Sequence, residues 1–197
     1  MRRRTQAERR AATQEALLDA TIDCLVRDGY AGTTTTRVVE RAGVSRGAQV
    51  HHFPTKAELV AESVRHLARK RATELADEAR ALEEGPARLE LVLDMMWRVH
   101  ASPLFAASIE LFVASRTDAD LRARMVEVER DTTALIYALA KDLFPERASD
   151  KPFRDALDAA LAAIRGLALL HFVDAVDERR WRALKRRLMA MAEQTTH

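Results

Sequence analysis

The tetrapeptide Ala42-Gly43-Val44-Ser45 constrains this chain more than any other stretch. A glycine that can take positive φ closes one helix. A serine hydroxyl that can accept a backbone N–H opens the next. Ala42 permits close approach of the two segments, and Val44 fills the corner between them. Both flanking segments are short: one begins behind Thr34 and carries Val38 and Val39, and the other runs from about Arg46 to Phe53. Helices of so few residues are not stable alone and need tertiary support. Two short helices around a Gly turn form a helix-turn-helix, whose second member can lie in a DNA major groove.

The side chains of the second helix suit that role. Arg46 and Gln49 stand one turn apart near its amino end and can hydrogen-bond base edges, Arg to guanine and Gln to adenine. Gly47 and Ala48 add no bulk, and the Ala48 methyl can meet a thymine methyl. His51, His52 and Lys56 lie further along, where donors to phosphate oxygens set register without reading sequence. An ordinary polar helix face accounts for Arg46 and Gln49 equally well at this level. Adjacent helical positions point about 100° apart, so the tandem histidines cannot share one metal ion, and no metal is expected. Charge is divided unevenly. Residues 1–56 carry ten Lys/Arg and six Asp/Glu, a local +4 within an overall +2, which points to a polyanion as partner for this part alone.

The rest of the chain is helical in pattern. Aromatic residues are only 5%, and apolar positions recur at spacings of three and four. The spacing predicts a first helix from about Glu8 to Asp28, ended by Gly29, with Leu17, Leu18, Ala20, Thr21, Cys24 and Leu25 on one side. Thr55 and Glu58 form a capping box that opens a long helix to about Leu82. Gly85-Pro86 and Ser102-Pro103 restart the chain, and Thr117 with Asp120 caps a helix that runs to Phe144-Pro145. A helix from about Lys151 to Ala175 and a last one from Asp177 bring the expected number to nine. Cys24 is the single cysteine, so neither an intrachain disulfide nor a cysteine zinc set is expected. Polar residues follow Arg2-Arg3-Arg4 where a leader would need an apolar run, and no stretch approaches a membrane span; a cytoplasmic protein with no membrane partner is expected.

Three stretches together resemble the TetR family of bacterial helix-turn-helix transcriptional regulators: Gly29-Tyr30-Ala31-Gly32-Thr33-Thr34, Ala42-Gly43-Val44-Ser45-Arg46-Gly47, and His52-Phe53-Pro54-Thr55-Lys56-Ala57-Glu58-Leu59. The resemblance is close over roughly residues 8–62. It implies an all-α fold with a three-helix DNA-binding head, residues 1–56, and a six-helix ligand-binding and dimerisation body, residues 57–197. It also implies a homodimeric repressor, released from a near-palindromic operator in double-stranded DNA by a small-molecule effector not yet identified, with no cofactor. By position, Thr34 would bind a phosphate, Arg46, Gly47 and Ala48 would face bases, and His51, His52 and Lys56 would contact the backbone. This chain departs from the family at two places. Val50 stands where an aromatic residue is usual, and can touch a thymine methyl or a sugar edge. Gln49 stands where an apolar residue is usual, so it either reads a base or turns toward the helix packing. A basic arm, Arg2-Arg3-Arg4, can reach a minor groove.

In such a body the large apolar helices would surround the effector, and Met96, Trp97, His100, Phe105, Ile109, Glu110, Phe112 and His171 are the candidate lining. Plain core packing explains the same aromatic and Met residues. Ala159, Ala163, Gly166 and Leu170 on the eighth helix, with Trp181, Leu184 and Leu188 on the ninth, are the candidate dimer face, intrachain packing being the other reading. No nucleophile–base pair, phosphate loop or paired carboxylate stands out, so the chain is not expected to be an enzyme. The alternatives are a helical small-molecule-binding scaffold that has lost DNA binding and an enzyme with a scattered site.

Overall fold

In the computed structural model residues 5–83, 85–172 and 178–194 are described, and every regular element among them is an α-helix. In chain order these are α1 (Gln6–Gly32), α2 (Thr35–Ala42), α3 (Arg46–His52), α4 (Lys56–Arg80), α5 (Pro86–His100), α6 (Pro103–Ala114), α7 (Ala119–Leu143), α8 (Lys151–Leu170) and α9 (Glu178–Gln194). The Arg2-Arg3-Arg4 arm, the expected helix end at Ala175 and the expected start at Asp177 lie outside the described residues. No described helix is long and apolar enough to cross a membrane.

The helix ends follow from local chemistry, with three departures from expectation. Helix α1 starts before Glu8. Thr5 and Glu8 form a reciprocal capping box, the Glu8 N–H donating to Thr5 Oγ1 at 3.2 Å and the Thr5 N–H to Glu8 Oε2 at 2.7 Å. Gly29 does break α1, with φ 65 and ψ −176, yet one further helical turn follows before Thr33 closes it. Helix α7 is capped by Asp118 rather than Thr117, because the Asp118 Oδ1 accepts the Leu121 N–H at 2.9 Å. Thr55 caps α4 as expected, its Oγ1 accepting the Glu58 N–H at 3.1 Å.

The chain divides into two compact units. The first combines residues 1–68 with 107–132. One apolar cluster there ties α1, α2, α3 and the start of α4 together through Leu17, Leu18, Cys24, Val38, Phe53 and Leu59. A second joins Leu25 and Val60 to Leu111 of α6 and to Leu121, Met125 and Val128 of α7. These contacts are the support that the two short helices lack by themselves. Arg65 of α4 adds an ionic tie within this unit, donating to Asp131 at 2.8 Å, to Glu127 at 3.3 Å and to Glu62.

The second unit combines residues 69–106 with 133–197. Leu75, Ala79, Ala140, Leu143, Phe144 and Phe153 form one of its clusters, and Leu93, Ala160, Ile164, Trp181 and Leu188 another. The Trp181 ring stacks on Trp97 at 5.1 Å between centroids, its planes within 9°. Its indole N–H donates to Asp94 Oδ1 at 2.9 Å, which meets the requirement of a buried donor. Trp181 and Leu188, expected at a dimer face, are therefore buried within their own unit, 5% and 6% exposed. The apolar spacing of α9 marks a buried face but carries no information on whether the covering surface belongs to the same chain.

Candidate nucleic-acid interface

Helices α2 and α3 are joined by a turn in which each residue has a structural reason. Gly43 adopts φ 65 and ψ 30, the left-handed conformation that disfavours side chains. Its N–H donates to Glu40 O, and the Val44 N–H reaches Val39 O, both at 3.3 Å, which completes a Schellman closure of α2. Ser45 then caps α3, its Oγ accepting the Ala48 N–H at 3.2 Å. Thr34 does the same for α2, accepting the Arg37 N–H at 3.3 Å, and its exposed hydroxyl stays at the start of that helix.

Exposure divides α3 into two faces. Arg46, Gly47, Val50 and His51 are exposed, Ala48 and His52 are half-buried, and Gln49 and Phe53 are buried. Gln49 is 2% exposed, and its amide Nε2 donates to the Phe53 carbonyl while the Phe53 N–H donates to the Gln49 carbonyl at 2.7 Å. Of the two possibilities for Gln49, base reader or inward residue, the structure has the second. A buried amide needs a partner, and the carbonyl just past the helix end supplies it. The Gln49 side chain thus closes the carboxyl end of α3 with a clasp on Phe53.

Near the carboxyl end of α3 the His51 and His52 rings meet edge-on at 5.5 Å. Burial holds His52 below the ordinary histidine pKa, and the neighbouring Arg10 guanidinium and His51 ring push in the same direction. Lys56 is less free than a solvent-facing phosphate contact. Its Nζ donates to the Tyr30 carbonyl at 2.7 Å and lies 3.9 Å from the Tyr30 ring centroid. Burial lowers its pKa, with Asp118 opposing. The other side of the same residue is held by α6, the Tyr30 N–H donating to Glu110 Oε2 at 2.8 Å. Tyr30 is thus gripped at both peptide groups, beside the Gly29 kink. Sequence reasoning placed Glu110 in an effector cavity; nothing in its own spacing pointed to a partner eighty residues away.

The other candidate lining residues separate. Met96, Trp97, His100, Phe105 and His171 belong to the second unit, while Ile109, Glu110 and Phe112 belong to the first. The structure brings His100 and Phe105 together, ring centroids 4.9 Å apart and edge-on, with Phe172 tilted against Phe105 at 6.2 Å. The His100 Nδ1 stands 2.7 Å from the Met96 carbonyl, so the neutral ring carries its proton there and leaves Nε2 as an acceptor. Trp97 and Met96 pack into the Trp181 cluster; His171 and Phe112 are exposed, and Ile109 is half-buried. Burial lowers the His100 pKa, the Met96 bond opposing and Arg165 adding to the depression. The unfolded chain therefore binds the proton first, so stability is retained above about pH 6.5 and falls as pH drops below it. Urea midpoints at pH 7.5 and 5.5 should diverge more for the wild-type protein than for His100→Gln. Equal pH dependence in the two would remove His100 as the cause.

On α8, Ala159, Gly166 and Leu170 are exposed and Ala163 is half-buried. A Cβ placed on Gly166 would meet nothing within 4 Å. Leu169 and Leu170 are 42% and 51% exposed. Leu184 of α9 packs partly buried against the Trp181 cluster.

Comparison with known proteins agrees with this geometry. Residues 17–63 match the family described as bacterial regulatory proteins, tetR family. The chain is 34% identical over 176 residues to the HTH-type transcriptional regulator CymR of Pseudomonas putida, covering 85% of this chain and 83% of that one. Its fold is similar to that of a TetR transcription regulator from Haloarcula marismortui, with a TM-score of 0.68 at 20% identity over 93% of this chain and 98% of the other. It is also similar to the regulator FadR of Bacillus subtilis, solved in complex with stearoyl-CoA, with a TM-score of 0.66 at 14% identity over 93% and 99% of the two chains.

Proposed function

We propose, for a chain that belongs to the TetR family of bacterial regulatory proteins, that it is a homodimeric repressor whose helix α3 enters the DNA major groove and whose release is triggered by a small molecule. The relatives it matches are transcriptional regulators rather than enzymes. The observation that carries the DNA reading is the two-faced α3: a cationic and small-residue face outward, and a closed, hydrogen-bonded face inward. Arg46 reads a base edge, Gly47 and Ala48 let the backbone approach, Thr34, His51 and His52 stand toward the phosphates, and Lys56 holds Tyr30 in place behind them. Residues 1–56 form the DNA-binding part and 57–197 the effector-binding and dimerisation part, acting in the cytoplasm.

Two such helices are needed because one short helix spans few base pairs. The exposed small and apolar residues of α8 (Ala159, Gly166, Leu169, Leu170) support pairing through that helix. The operator would then carry half-sites one or more helical turns apart, about 34–36 Å or a multiple. For the effector, the His100–Phe105–Phe172 cluster offers aromatic surface beside one ring-nitrogen acceptor, the chemistry of an apolar ligand with a single donor. An effector acts only through unequal affinity for the DNA-competent and released arrangements.

The test is selection from random duplexes, then mobility shift of the enriched sites at several salt concentrations, with sedimentation in parallel. Expected are a near-palindromic consensus, two chains per duplex, and affinity that falls steeply with salt. Failure to enrich any sequence, with lone chains in sedimentation, would overturn this function.

A further inference from the structure

We propose that Val50, one turn of α3 beyond Arg46, is the second sequence-reading residue of that helix and selects thymine through its C5-methyl group. The inference rests on the DNA-binding function proposed above and adds which base chemistry the interface recognises. Withdrawal of Gln49 is the first observation. With its amide committed to the Phe53 carbonyl and its side chain 2% exposed, the residue best suited to pair with adenine does not reach the surface. The exposed stripe then contains Arg46, Gly47, Val50 and His51. Arg46 and Val50 are four residues apart and so share one face of the helix.

Val50 is the second observation. It is 49% exposed, a branched apolar side chain on the outer surface of a helix whose inner surface is already filled by Gln49 and Phe53. Valine offers no hydrogen bond, so it draws nothing electrostatic from a phosphate or from the polar atoms of a base edge. Among the features that base pairs present in the major groove, the thymine methyl is the apolar one. Burying isopropyl against methyl removes both from water, and cytosine, which lacks the methyl, gives no such gain. Gly47 keeps the approach open, since a Cβ there would meet only Ser45 Oγ, at 3.9 Å.

Deoxyuridine isolates the methyl, because it keeps the pairing edge and the O4 acceptor of thymine. In a duplex selected by the wild-type protein, thymines are replaced by deoxyuridine one at a time and then in both half-sites. The expected result is one position where the loss is about fourfold in a single half-site and about fifteenfold in both, as for burial of one methyl-sized group. Val50→Ala should bind the thymine duplex more weakly than wild type, fold with the same thermal midpoint, and treat thymine and deoxyuridine alike. A wild-type protein indifferent to every thymine-to-deoxyuridine change overturns the proposal. So does a penalty that persists in Val50→Ala and disappears in Ala48→Gly, which would make Ala48 the reader. Tight, salt-dependent binding to a selected site without methyl dependence would overturn this inference alone; failure to select any site would overturn it together with the function it rests on.

Discussion

Arg46→Ala should abolish discrimination at one position of each half-site and cost about 1–3 kcal/mol there, hence about twice that on a paired operator. Affinity for the selected duplex would then fall by about two to four orders of magnitude, and affinity for random DNA far less. The side chain stands at the first position of α3, directly after the Ser45 cap, and is exposed. Its removal leaves the buried face of Gln49 and Phe53 intact, so the head should keep its thermal midpoint. With Gln49 turned inward, no neighbouring long donor on α3 can take over base pairing. The measurement is the ratio of specific to non-specific affinity at fixed salt. A uniform loss on both kinds of DNA would show that Arg46 anchors to phosphate rather than reads sequence.

Gly29→Val should destabilise the first unit by about 2–5 kcal/mol. At φ 65 and ψ −176 the backbone sits in a region open almost only to glycine. Any Cβ there would come within 2.5 Å of Glu110 Oε2. The carboxylate would have to leave the Tyr30 N–H, so strain and a lost hydrogen bond arrive together. Glu110→Ala removes only the bond, for about 1 kcal/mol at this exposed position. Gly29→Ala should therefore be less damaging in the Glu110→Ala background than in wild type, a coupling that a double-mutant cycle on denaturation midpoints reads directly. A wild-type midpoint for Gly29→Val would contradict the account. Because Lys56 holds the other side of Tyr30, loosening this junction should also weaken operator binding in the folded fraction.

Much of the head was legible because its signals are local. The Gly43 closure and the Ser45, Thr34 and Thr55 caps each involve atoms within a few residues, and all four appear as expected. The overlooked start of α1 uses the same T-x-x-E signal, at Thr5–Glu8, and could have been found the same way. Exposure of the α3 outer face is a different matter. Gln49 fits a polar reading face and a capped core equally well until Phe53 is seen to fold back and offer its carbonyl.

From the order of residues alone came the helical class, the caps at Thr34, Ser45 and Thr55, the Gly43 closure, the helix-turn-helix and its family. Each depends on interactions spanning at most a turn or two of chain, which a one-dimensional pattern records. The tertiary structure decided which polar groups point inward, that Glu110 and Lys56 clamp Tyr30, and that Trp181 stacks on Trp97. Those outcomes join residues 26, 80 or 84 positions apart. An apolar stripe states that a face will be covered; only packing in three dimensions determines by what.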